Sequence, residues 1–139
     1  MIVVDEYLAL RIVAGDWPEG LPDDDDIATT ASRWWRLLQR IHQPGDGQLS
    51  AILGQLDEED RDVIRRPHPE VLHVLDPRPL LDDAAVINAS YRSAGLLVAE
   101  TLAAGLVHGR RLWFGTERNV GVRTREIAND LGIAITIAQ

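Results

Sequence analysis

Three acidic residues stand where a folded chain can use carboxylates chemically. Asp5 follows Ile2, Val3 and Val4, a β-branched run that reads as the start of the central strand, and precedes Tyr7, Leu8, Leu10, Ile12 and Val13 at helical spacing. At such a strand-to-helix junction an aspartate is either the N-cap of the helix or a ligand at a strand's carboxyl end, and both readings stand. Glu6, in the first helical turn, suits the helix dipole without any further role. Glu100 and Glu117 belong to residues 96–119, LLVAETLAAGLVHGRRLWFGTERN. This stretch reads as a buried helix, a turn at His108 and Gly109, a short apolar strand at Leu112, Trp113 and Phe114, and a polar loop from Gly115 to Asn119. A loop just after a strand's carboxyl end is the usual place for a site in an open α/β sheet, so Glu100 and Glu117 are expected to face one crevice.

A second constellation lies in residues 30–42, a predicted helix. Trp34, Leu37, Leu38 and Ile41 form an apolar stripe at i, i+3, i+4, i+7, and Arg33, Arg36 and Arg40 run along a neighbouring stripe. Arginines beside tryptophans suit a phosphate or RNA-stacking contact, but they are also what an ordinary half-buried helix looks like, and the pattern favours the latter. Trp34 and Trp35 cannot both face the core, so one of them is expected at an interface with a partner or a second subunit.

The remaining chain supplies the frame. Residues 16–26 contain two prolines, a glycine and six acids and read as a loop. The four consecutive aspartates point in alternating directions on an extended chain, which favours a solvated charge run over a cluster of ligands. A turn at residues 43–47 precedes a helix at 48–56 and a second, polar helical segment at 57–66. His68 and His73 lack the spacing of a metal pair. Residues 71–75 form a short apolar run fenced by prolines and read as a strand; Pro79 opens the next helix. Residues 122–131 read as a helix and 133–137 as a last strand. This alternation predicts one α/β domain over residues 1–139, with a small parallel sheet of about four strands flanked by helices on both faces.

Composition narrows the classes. The chain has 139 residues, 45% of them apolar, which suffices for one core but not two. No apolar run is long enough to span a membrane, and the N-terminus lacks the basic and apolar leader of a signal peptide. With no cysteine, disulfides and thiolate metal sites are excluded, which suits a cytoplasmic location. A net charge of −8 argues against a general nucleic-acid binder but not against an enzyme that meets RNA through metal ions.

The opening Ile2-Val3-Val4-Asp5 followed by an apolar helix looks like the start of a PIN domain. The segments LHVLDPRPLLDDAAVINASY and LLVAETLAAGLVHGRRLWFGTERN resemble the second half of that family, in which a strand, a helix, an L-A-D-A-L-I-A segment, an HG turn, a strand ending near T-x-D/N, a helix and a last strand follow in order. The resemblance covers about half the chain and rests on order and spacing. It implies a three-layer fold and a Mg²⁺- or Mn²⁺-dependent endoribonuclease, such as the toxin of a VapBC-type toxin–antitoxin pair, with a small antitoxin-like partner and a homodimeric state. Asp5 matches the family's first acid, and Glu100 best matches the acid of the L-A-D-A-L segment. Thr116 matches the threonine after the third strand, and Glu117 or Asn119 stands near the last acid. The implied metal ligands and catalytic residues are therefore Asp5, Glu100 and Glu117. The usual glutamate of the second helix has no counterpart; arginine and tryptophans occupy residues 32–35. That departure gives the alternative reading, a catalytically degenerate PIN-like protein acting through protein–protein binding. Two enzyme classes are disfavoured. An Asp-x-Asp phosphatase motif is missing at the first strand, and no Gly-rich phosphate loop follows a strand.

Overall fold

Ile2, Val3 and Val4 form β1 (Ile2–Val4), and their alternation decides the architecture: Ile2 and Val4 point into one apolar cluster, Val3 into another on the opposite face. The computed structural model describes residues 1–23 and 25–139; Asp24, in the middle of the aspartate run, lies outside the described residues. In chain order the elements are α1 (Glu6–Val13), β2 (Ile27–Thr30), α2 (Ala31–His42), α3 (Gln48–Gly54), α4 (Glu58–Arg65) and β3 (His73–Leu75). There follow a 3-10 turn (Arg78–Leu80), α5 (Leu81–Ser90), α6 (Leu96–Val107), β4 (Arg111–Phe114), α7 (Glu117–Val120), α8 (Val122–Asp130) and β5 (Ala134–Ile137).

The strands make one parallel sheet in the order β3-β2-β1-β4-β5. One face is covered by the cluster that holds Leu8, Leu10, Trp34, Leu37, Leu49, Leu53 and Ile64, contributed by α1 to α4. The other is covered by Leu80, Ala84, Ile87, Leu102, Ala103 and Ile127, from the 3-10 turn, α5, α6 and α8. The α/β class, the parallel sheet and the helices on both faces agree with expectation. The strand count does not: there are five strands rather than about four. The additional one is β2, four residues with no flanking glycine that run straight into α2, with Thr30 closing the strand and capping the helix. β3 is also shorter than residues 71–75, and residues 117–120 form a single helical turn instead of continuing the loop.

The chain builds the sheet outward from β1 to β2 and β3, then returns across the sheet to β4 on the other side of β1. The carboxyl ends of β1 and β4 therefore flank a topological switch point, the place where open α/β sheets form a ligand crevice. Helix α6 packs against β1 and β2 and is buried without interruption from Ala99 to Gly105. Gly105 lets the helix approach the sheet: a Cβ there would lie 3.1 Å from Leu112 Cδ2. Leu112 is fully buried under it. Leu112→Ala is accordingly expected to lower the unfolding free energy by about 2–5 kcal/mol, read from the urea midpoint at constant slope. A loss below about 0.5 kcal/mol would contradict this packing.

Candidate functional site at the switch point

Asp5 stands at the carboxyl end of β1, and of the two roles that the sequence left open it fills that of the N-cap. Its Oδ1 accepts the Leu8 amide at 2.9 Å, the N-cap bond of α1. The same oxygen accepts the Gly115 amide at 3.0 Å, and Oδ2 accepts the Asn119 side-chain amide at 2.6 Å. These two bonds run across the switch point from β1 to the segment after β4. Gly115 permits the approach, because a Cβ at that position would sit 2.6 Å from Tyr7 Cβ. Thr116 caps α7 through the Asn119 amide at 3.2 Å and so orients the residue that reaches Asp5. Burial raises the Asp5 pKa from 3.8 to about 6, with the neighbouring Glu6 charge adding to it and the bonds from Leu8 and Asn119 opposing.

Glu6 departs from expectation. In place of a first-turn acid that serves only the helix dipole, it is a 0% exposed carboxylate beside two arginines of α2. Arg33 Nη1 lies 2.9 Å from its Oε2, and Arg36 Nη1 lies 2.8 Å from its Oε1. Arg33 is itself 1% exposed. Its Nε donates to Thr101 Oγ1 at 2.9 Å, and the guanidinium carbon stands 5.3 Å from the centroid of the Phe114 ring. Arg33 is thus an interior cation and not a surface contact for phosphate, and of the expected arginine pair only Arg36 reaches solvent.

The other expected ligands go elsewhere. Glu100 Oε1 accepts the Ser32 amide at 3.0 Å and the Ser32 hydroxyl at 3.1 Å, so the carboxylate serves a free donor in the first turn of α2. Glu117 is exposed and pairs with Arg125 at 2.6 Å. Glu100 and Glu117 therefore have different partners, Ser32 and Arg125, rather than a shared ligand. Among the described residues no group of three or more histidine, aspartate or glutamate side chains is assembled as a metal site. The donor chemistry agrees: the Asp5 oxygens already accept three N–H groups and Glu6 is charge-paired twice, so the residues present do not fit a divalent ion held by Asp5, Glu100 and Glu117. The tryptophan pair divides as its spacing required. Trp34 is 6% exposed and packs in its own core, which removes it from the expected interface, whereas Trp35 is 59% exposed.

Sequence reasoning missed the role of Glu6 and left Arg33 open between a phosphate contact and a half-buried helix. The only signal available was a pair of arginines at i, i+3 beside a buried tryptophan, together with an acid on a different helix. No family model, no curated protein and no solved structure matches the chain.

The raised Asp5 pKa fixes a sign. Between pH 4 and 6 the folded chain holds a proton on Asp5 that the unfolded chain releases, so this carboxyl's contribution is full below pH 4 and is lost as pH rises through about 6. The loss is on the order of 2–3 kcal/mol. Unfolding free energies of wild type and Asp5→Asn, measured across that range, are expected to differ by an amount that changes between pH 4 and 6 and is flat above. A difference that stays constant from acid to neutral pH would contradict the assignment.

Proposed function

We propose that this chain is a PIN-like protein that acts by binding protein surfaces, in a toxin–antitoxin or other regulatory complex, and not by hydrolysing RNA. The observation that carries the reading is the commitment of each expected metal ligand to an internal partner: Asp5 to Gly115 and Asn119, Glu100 to Ser32, and Glu117 to Arg125. A hydrolase of the metal type needs carboxylate oxygens free to hold an ion and orient water. The surface offers Trp35 instead, more than half exposed on α2, and tryptophan is the side chain most enriched at the energetic centre of protein interfaces. The −8 charge suits a basic partner, such as a small antitoxin-like protein, and a second copy of the chain through Trp35 is the simplest complex.

The second reading is the Mg²⁺- or Mn²⁺-dependent endoribonuclease, with Asp5, Glu100 and Glu117 as its ligands. It is favoured by one observation, the placement of a carboxyl with a raised pKa at the switch point. One set of measurements separates the two. Purified protein is expected to leave RNA intact with Mg²⁺, with Mn²⁺ and with EDTA. Sedimentation is expected to show a dimer that Trp35→Ala weakens by about 2 kcal/mol or more. Metal-dependent cleavage that disappears in Asp5→Asn would overturn the binding reading in favour of the nuclease. A wild-type chain that stays monomeric at every concentration would remove the second copy as the partner.

A further inference from the structure

We propose that a groove at the amino-terminal edge of the sheet, lined by Trp17, Ile27 and Val71, docks a basic segment of a partner protein by taking one of its arginine or lysine side chains against the Trp17 ring. The inference rests on the protein-binding reading for the kind of partner. It uses neither Trp35 nor the switch point, so the two can fail separately.

The groove is built on the core. Ile27 opens β2 and Val71 lies just before β3, so both stand at the edge of the parallel sheet opposite Asp5 and Gly115. Leu21, Ile27 and Leu72 belong to one buried cluster and anchor the three chain segments that meet here. Residues 18–21 make a turn closed by the Leu21 amide on the Pro18 carbonyl at 3.3 Å, with Gly20 supplying a positive φ of 79°. That turn brings the Leu21 carbonyl to the Trp17 indole, whose Nε1 donates to it at 3.0 Å. The ring is thereby held in place while Trp17 stays 42% exposed, and Val71 is exposed to the same extent. The groove they line has a volume of about 550 Å³. A ligand that meets an indole already held in this way loses little to ordering the site.

Charge selects the occupant. Asp23, Asp26 and Glu70 line the same groove. Asp25, in the same acidic run, is already spent on Arg111 through two bonds of 3.0 Å. Among the described residues the Asp23 and Asp26 carboxylates have no ion-pair partner. No three acids among the described residues are assembled as a metal site, so these carboxylates surround the groove instead of converging on a point ion. An apolar stem that ends in a positive head fits this arrangement. Its methylenes pack on Ile27 and Val71, and its cation meets the indole face and the carboxylates together. A small inorganic cation lacks the stem, and an anionic ligand would meet three like charges. The chain's −8 charge also draws a basic segment in from a distance.

The test titrates the full chain with an acetylated hexa-arginine peptide and follows the indole N–H resonances by NMR. The peptide is expected to shift the Trp17 indole resonance saturably and to leave that of Trp35 in place. Trp17→Ala, and separately Asp23→Asn combined with Asp26→Asn, are each expected to weaken binding about fivefold or more. Asp82→Asn combined with Asp83→Asn removes the same charge from α5, and Trp35→Ala removes the other exposed tryptophan; both are expected to change the affinity less than about twofold. Should Trp17→Ala fail to fold, the Asp23 and Asp26 pair carries the test, because it alters only exposed carboxylates. Equal weakening by the α5 pair would show attraction to overall charge and overturn the proposal. So would the absence of binding, a shift at Trp35 in place of Trp17, or spermine bound as tightly as the peptide, which would make the ligand a free polycation.

Discussion

A completely buried carboxylate constrains this structure more than any apolar contact does. Glu6 cannot stay charged in the interior without partners, and both of its partners come from one helix. Their demand sets how α2 lies against α1. Arg33 then extends the constraint through the layer, since its other donors and its flat face meet Thr101 on α6 and Phe114 on β4. Glu100 reinforces the same joint from α6 by accepting the Ser32 amide at the start of α2. Elements far apart in the chain are in this way locked together at the carboxyl edge of the sheet. Removing one partner of such a set leaves an uncompensated buried charge, which costs far more than the intact pair contributes.

The consequence for function follows from where this lock sits. Open α/β sheets bind ligands at the switch point because the strands' diverging connections leave a gap there. Here Asp5 spans the gap with bonds to Gly115 and Asn119, and Gly115 lies too close to Tyr7 to admit even a methyl group. The Asp5 oxygens are thus spent on N–H groups of the chain itself, while buried Glu6 Oε1, 2.8 Å from Arg36 Nη1, has no hydrogen-bond partner. On the helix that carries Arg33 and Arg36, Trp35 stands exposed on the outside of that lock.

Much of the frame was legible in the sequence. The run Ile2 to Val4, the glycine after α6 and the largely apolar α6, broken only by Glu100 and Thr101, announce a buried parallel sheet through periodicity and punctuation, which are local properties. β2 was not legible, because four residues with two threonines, one of them the cap of the next helix, carry no period of their own. At the site, Asp5 was legible as a junction residue, and its cap bond to Leu8 is as local as the pattern that found it. Glu6 was not. A first-turn glutamate looks the same whether it faces water or two arginines 27 and 30 positions later, and only the packing of α2 distinguishes the cases. For the same reason the sequence left Arg33 open between a phosphate contact and a half-buried helix: helical spacing places it on a stripe, but the depth of that stripe depends on what the neighbouring helix presents.

Anomalous diffraction from wild-type crystals soaked in Mn²⁺ tests the central claim most directly. An internally neutralised crevice predicts no ordered manganese near Asp5 and Glu6, with the Arg33–Glu6 contact and the Asp5 bonds to Gly115 and Asn119 retained. A manganese peak ligated by Asp5 and Glu6, with Arg33 turned away, would contradict it.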